Sequence, residues 1–334
     1  MRPLFHPQLV NDPFGDPALY IDCLFERRAL LFDLGDIRVL APRKLMRLSH
    51  VFVSHAHMDH FMGFDWLLRI VLARDRDLHL FGPPGFIAQV EHKLAAYTWN
   101  LVHNYATPLT VHVTEVEPGK SARRATFRCR NAFRRENETA LPPSDVLLAE
   151  PLFRVRATLL DHRTPCLAFA LEESLHVNVW KNRLLEQGLA PGPWLAVAKR
   201  AAIEGRPDDS PISAQGKDGR IHTLPLGVLR QEVFRVVPGQ KIAYVTDAVY
   251  HGDNAERIIA LAQGADWLFI ESPFLDEKAE RARERCHLTA RQAGELARAA
   301  GVKQVIPFHF SPIYRGKEAL LRAELEGAFR GEGA

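Results

Sequence analysis

Residues 55–60 read His-Ala-His-Met-Asp-His, so three histidines and an aspartate fall within six positions. Imidazole nitrogens and carboxylate oxygens are ligands for zinc, manganese or iron. His55 and His57 are two apart and point the same way on an extended segment, while Asp59 and His60 must turn back as the chain leaves it. One short stretch can thus address two neighbouring positions, as in hydrolases whose paired metals lie about 3.5–4 Å apart. Three further donors each follow an apolar run: His162, Asp247 and His309. Taken singly, each reads as an ordinary structural residue. A site that already has four ligands needs partners of this kind, held at rigid strand ends.

The elements that must position them are short and interleaved. ALYIDCLF (18–25), ALLFDLG (29–35) and HVFVSH (50–55) are apolar runs bounded by turn residues and read as strands. FMGFDWLLRIVLAR (61–74) and FIAQVEHKLAAYTWNL (86–101) have helical apolar spacing, with the strand and turn DLHLFGPPG between them. PLTVHVTEVEPG (108–119), ATFRCRNAF (125–133) and LFRVRATLLDH (152–162) return to strand. In the last, Val155, Ala157 and Leu159 are expected to face inward and Arg154 and Arg156 outward, and NETALPPSD (137–145) is expected to be a loop. Residues 172–222 are rich in Gly, Pro, Asp and Ser and read as a projecting insertion with a little helix. Beyond it, KIAYVTDAVY, DWLFIESPF and KQVIPFHFSPIY read as strands. They alternate with helices over ERIIALAQGA and LTARQAGELARAAGV, the second capped by Thr289, and a final helix closes the chain. Interleaved strands and helices without a repeat define an α/β class, expected as one domain across 1–334.

Composition narrows the function classes. With 47% hydrophobic and 25% charged residues among 334, the chain is globular and long enough for a sizeable core. Cys23, Cys129, Cys166 and Cys286 are scattered without a CxxC pair, which argues against a disulfide framework and a thiolate zinc site. No run approaches the roughly 18 apolar residues of a membrane span, and the amino terminus lacks an apolar signal core. A cytoplasmic protein is expected. The net charge of +3 is compatible with a polyanionic substrate without demanding one. Residues 121–136 carry six arginines, which suit either phosphate contacts or a solvated strand face.

HAHMDH resembles the signature of metallo-β-lactamase-fold hydrolases, which implies an αββα sandwich with one or two metals at the sheet edges. The later half resembles ribonuclease Z, the zinc phosphodiesterase that trims precursor tRNA. The matching stretches are LLDHRTPCLAFALEE (159–173), GLAPGPWLAVAKRA (188–201), GQKIAYVTDAVY (239–250), ADWLFIESPF (265–274) and CHLTARQAGELARAAGVKQVIPFHFSPIY (286–314). The resemblance implies that His55, His57 and His162 hold one zinc, that Asp59, His60 and His309 hold the other, and that Asp247 bridges them. Manganese or iron would suit the same donors. It further implies that Asp59 orients or deprotonates the attacking water, that His287 serves the leaving oxygen, and that Glu271 orients His287. Residues 172–222 would then be a tRNA-gripping arm, with Gly192 and Pro193 at its tip and Lys199 and Arg200 nearby, in a homodimer. The chain departs from the family pattern at Met58, Ala248 and Ile313, where glycine, threonine and arginine are usual. The expected reaction is endonucleolytic removal of the 3′ trailer by a metal-activated water. The alternatives are a phosphodiesterase or esterase for a smaller substrate, and an RNA-binding protein with a structural metal.

Overall fold

A computed structural model describes residues 4–24, 26–72 and 74–332. The expected strand at 18–25 and helix at 61–74 each include one residue outside that set, Phe25 and Ala73, and the span 1–334 exceeds it at both ends. Two compact units divide the chain. The larger comprises Phe5–Leu147, Arg156–Ala170 and Ile242–Ala334.

Its first sheet has eight strands in chain order: Phe5–Leu9, Leu19–Cys23, Ala29–Phe32, Leu48–Phe52, Arg76–Gly82, Leu109–Glu115, Ala122–Arg128 and Arg135–Leu141. The outer pairs are antiparallel and the four central strands run parallel. Parallel neighbours require crossovers. Helices Pro42–Leu45, Met58–Phe61, Phe64–Val71 and Phe86–Ala95 fill them. In the second sheet Lys241–Val245, Trp267–Glu271 and Val305–Phe308 are parallel neighbours, joined through helices that include Gly252–Ala262 and Ala290–Ala299. The helix-side faces bury Val51, Phe64, Leu80 and Phe86 on the first sheet and Val245, Ile258, Leu268 and Leu296 on the second. Between the sheets Phe32 stacks on Phe52 (5.1 Å) and Tyr244 (5.9 Å) and meets Phe169 at a tilt (5.4 Å). Each fully buried Phe contributes roughly 1.5–3 kcal/mol through burial. This is the αββα sandwich.

Several sequence expectations needed correction. Residues 137–145 do not form a single loop, because Arg135–Leu141 is an edge strand. Its polar sequence is held by cross-strand ion pairs, Arg123 with Glu138 (3.1 Å) and Arg128 with Glu136. In Phe153–Asp161 the alternation holds at Val155 and Ala157 but then slips, so that Leu160 is buried and Leu159 half-buried. The helix at 86–101 ends at Ala95. Thr289 caps Ala290–Ala299 in a capping box, accepting from the Gln292 N–H while the Gln292 side chain accepts from the Thr289 N–H.

The smaller unit contains Leu148–Val155 and Leu171–Lys241, with Leu4. It is more ordered than its composition suggests. Leu175–Val179 pairs antiparallel with the distant Phe234–Pro238, and Pro211–Gln215 forms a hairpin with Ile221–Pro225. Three helices, Lys181–Glu186, Trp194–Ile203 and Leu226–Glu232, accompany them. They share a core of Val177, Leu184, Ala198, Ile212, Leu229 and Phe234.

Candidate metal centre

The strand ends carry the chemistry. Leu48–Phe52 runs into Ser54 and His55, and His57 then starts the helix Met58–Phe61, which bears Asp59 and His60. The three parallel strands of the second sheet end at the same edge, so Asp247, Glu271 and His309 converge there, and His162 follows Phe153–Asp161.

Three ligand sets result, each with donor atoms within 4.8 Å of one another: His55, His57, His162 and Asp247; Asp59, His60 and His309; and Asp247, Glu271, His287 and His309. Asp247 stands between the first two. Its Oδ2 is 3.3 Å from His162 Nε2 and 3.7 Å from His55 Nε2. Its Oδ1 is 3.0 Å from His309 Nδ1 and 3.5 Å from His60 Nε2. Asp59 Oδ2 lies 3.3 Å from His309 Nε2. His57 is exposed and Asp59 half-buried, so the site opens on that side.

Buried ring nitrogens test whether these residues fit a metal. His55 Nε2, His60 Nε2 and His309 Nδ1 are buried without a hydrogen-bond partner among the described residues. Burying a polar atom unpaired is costly, and these atoms face carboxylate oxygens at near-contact distance without hydrogen-bond alignment. All-nitrogen-and-oxygen donors of this kind suit a divalent transition ion. The residues fit.

The opposite ring nitrogens are anchored. His60 Nδ1–H donates to Asp33 Oδ2 (2.9 Å), which also accepts from Ser54 Oγ–H (2.9 Å) and Tyr244 O–H (2.9 Å), while Asp33 Oδ1 accepts the Ser54 N–H (2.7 Å). His162 Nδ1–H donates to the Cys286 carbonyl (2.8 Å). His287 Nδ1–H donates to Glu271 Oε2 (2.7 Å), and Glu271 Oε1 accepts the N–H groups of Ala248 (2.8 Å) and Leu288 (3.2 Å). Such bonds fix the tautomer and leave Nε2 free. Asp33, Ser54, Tyr244 and the Cys286 carbonyl are functional groups that the spacing of the ligands does not reveal. The acid-glycine end of ALLFDLG was the available signal for Asp33.

The electrostatics follow this arrangement. Burial, with repulsion from His60, pushes His55 down to about 2. Burial would also lower His60, but the carboxylates of Asp247 and Asp33 outweigh it and push His60 up to about 10. Burial opposes ionisation of Asp247, yet His309 and His60 hold it well below the usual carboxylate range. For His287 burial is outweighed by Glu271, so its value is raised. Backbone strain gathers here too. Asp33, Arg163, Cys286 and His309 all adopt φ between 56° and 61° without being glycine, a region that costs side chains free energy and is retained at functional sites.

The remaining predicted residues lie elsewhere. Gly192 and Pro193 form the turn before Trp194–Ile203, and Lys199 and Arg200 lie on that helix. Burial lowers the Lys199 value. Of the six arginines of 121–136, three pair with acids, Arg123 with Glu115 (2.5 Å), Arg128 with Glu136 and Arg135 with Glu91, while Arg124 donates to Thr114 Oγ1 (3.0 Å) and keeps its charge.

The comparisons agree with the geometry. Residues 18–148 and 199–310 match the Beta-lactamase superfamily domain. A protein of Deinococcus radiodurans named Ribonuclease Z is 31% identical over 92% of this chain and 90% of its own length. One of Methanosarcina acetivorans with the same name is 28% identical over 86% of this chain and 80% of its own. The chain therefore belongs to the ribonuclease Z family within the beta-lactamase superfamily. Two solved structures share the fold. The short form of human tRNase Z has a TM-score of 0.51 and 18% identity, with 92% of each chain covered. The metallo-beta-lactamase fold protein YhfI from Bacillus subtilis has a TM-score of 0.55 and 15% identity, with 97% of this chain and 93% of its own covered. Among the described residues, no helix is long and apolar enough to cross a membrane.

Proposed function

We propose that this protein is a metal-dependent endoribonuclease that removes the 3′ trailer of precursor tRNA. The observation that carries this reading is the convergence of six imidazole and carboxylate side chains, His55, His57, Asp59, His60, His162 and His309, around Asp247, with unpaired buried ring nitrogens facing it. The similarity to proteins named Ribonuclease Z supports the substrate class. His55, His57 and His162 would hold one zinc and Asp59, His60 and His309 a second, with Asp247 within reach of both sets.

Bound metal ions supply Lewis acidity at the phosphoryl oxygens and make an attacking water more acidic. The chain's own groups do the rest. Asp59, half-buried beside His309, orients the water and takes its proton. His287, held by Glu271 through Nδ1, offers Nε2 to the leaving oxygen, and the Glu271 carboxylate favours the protonated ring. Gly192, Pro193, Lys199 and Arg200 contribute to RNA binding in the smaller unit, and the working form is a cytoplasmic homodimer.

The test uses zinc-loaded protein with a 3′-extended precursor tRNA and a small chromogenic phosphodiester. Cleavage at the trailer junction, lost in His57→Ala and Asp247→Ala, is the expected result. Turnover of the small diester alone would overturn the tRNA assignment.

A further inference from the structure

A cavity of about 480 Å³ opens beside His287, with Arg163, Tyr250, His251, Glu280 and Arg283 in its wall. Arg163 directly follows His162, and Arg283 stands four residues before His287. Arg163 is thus carried by the turn that follows His162, and Arg283 by the helix Ala279–Glu284 that leads to His287. Both arginines are exposed, and neither has an ion pair among the described residues. Other arginines are held by acids, as Arg28 is by Glu26, Arg47 by Asp22 and Arg154 by Glu172, whereas these two face the cavity without one.

Arg163 also holds a strained backbone at φ 56°. Its N–H donates to Asp161 Oδ1 (2.7 Å), and the His162 N–H donates to the Thr164 carbonyl (3.2 Å), which together close a tight turn. Glycine would adopt this conformation without strain, so the turn that places His162 keeps a side chain here, and that side chain is an exposed guanidinium in the cavity wall. Of the two acids in the wall, Asp161 is engaged by that N–H and faces His251 at 3.6 Å. Glu280 is the remaining counter-charge, and it is exposed to water.

An RNA strand brings one phosphate per nucleotide, so a second phosphate must lie close to the one being cut. Arginine forks are suited to such oxygens. His287 serves the leaving oxygen, which places this cavity on the leaving-group side. We propose that Arg163 and Arg283 clamp the phosphate next to the scissile one on that side, so that the cavity holds the nucleotide bearing the leaving oxygen. The assignment rests on the ribonuclease reading above and specifies which residues grip its substrate.

The experiment is a cycle of two perturbations read by steady-state kinetics. A short RNA substrate carries either phosphate or neutral methylphosphonate at the neighbouring leaving-side linkage. Wild-type protein and the double variant Arg163→Ala/Arg283→Ala are assayed on both substrates at several salt concentrations. Neutralising the linkage is expected to raise the wild-type KM roughly tenfold, as for loss of a charge-assisted contact. The double variant on the all-phosphate RNA should show a similar rise, and on the neutral substrate no further one. Its slope of log KM against log salt should fall by roughly 0.7 for the lost phosphate contact. Two rises that multiply would overturn the clamp, because the arginines would then act elsewhere. A wild-type KM indifferent to the linkage would overturn it without any variant, so misfolding of the variant cannot protect the proposal. Wild-type protein that cuts no RNA but turns over a chromogenic diester would refute the ribonuclease reading itself, visibly and before any variant is made.

Discussion

Asp33→Asn should weaken metal binding through a proton rather than through a lost ligand. Asp33 is fully buried, and its Oδ2 accepts from three donors, Ser54 Oγ, His60 Nδ1 and Tyr244 O–H, each at 2.9 Å. Asparagine is close in size and tolerates the left-handed backbone at φ 60°, so the substitution adds little strain. Its oxygen can keep the Ser54 N–H, which sets an NH₂ group against those three donors. The two hydroxyls can rotate and accept instead. His60 must move its proton from Nδ1 to Nε2, the atom that would bind metal. Loss of such an outer partner typically costs 10–100-fold in metal affinity, about 1.4–2.7 kcal/mol. The stability cost should be about 1–3 kcal/mol, since the hydroxyls remain partnered. Competition with a chromogenic zinc chelator measures the affinity, and urea unfolding of the metal-free protein measures the stability. Tyr244→Phe is the control. It removes one donor to the same oxygen but leaves the His60 tautomer alone, so it should cost stability and little affinity. Unchanged affinity in Asp33→Asn, or an equal loss in Tyr244→Phe, would refute the tautomer argument.

Other consequences can be measured in parallel. His287→Ala should lower kcat for RNA by about 10²-fold or more with zinc content intact, as for loss of a general acid; unchanged kcat would remove His287 from the reaction. Glu271→Gln should shift the acidic-to-basic limb of the pH–rate profile to lower pH, because the carboxylate that raises His287 is neutralised. In the metal-free protein His60 is raised from its ordinary 6.5 to about 10, so its stabilising contribution is full below the unfolded value and is lost as pH rises through the folded one. Metal must displace that proton, so apparent zinc affinity should climb between those values by up to about tenfold per pH unit, and a flat titration would contradict it. Thr289→Ala removes the capping box of Ala290–Ala299 and should cost about 1 kcal/mol in urea unfolding.

What was legible in the sequence depended on whether the cause was local. His55, His57, Asp59 and His60 lie within one turn of each other, and His162, Asp247 and His309 each close an apolar run, so strand periodicity was enough to mark them. Thr289 was legible because its partner Gln292 is three residues away. Arg135–Leu141 was missed because its residues are polar on both faces, and what makes it a strand is a row of acids opposite Arg123 and Arg128 on its neighbour. The segment after 172 looked irregular because its small core closes only when Phe234 pairs back against Val179.

The outer layer of the site was hidden for a different reason. Asp33 meets Ser54, His60 and Tyr244 from 21, 27 and 211 residues away, and no spacing rule reaches that far. Its backbone conformation is equally silent, since aspartate, arginine, cysteine and histidine at 33, 163, 286 and 309 give no sign of a left-handed turn where glycine would be expected. Yet those four turns are what aim the site. Each reverses the chain directly after a strand or directly beside a ligand, and each keeps a side chain that glycine would forfeit: the Asp33 carboxylate, the Arg163 guanidinium, the Cys286 thiol and the His309 imidazole. At Asp33 and His309 the side chain itself explains why glycine is absent, and at Arg163 the proposed phosphate contact supplies the same explanation. At Cys286 the backbone carbonyl does the anchoring, so the argument predicts that Cys286→Gly, alone of the four, should leave metal affinity intact and relieve strain, with a zinc titration and a melting curve as the measurements.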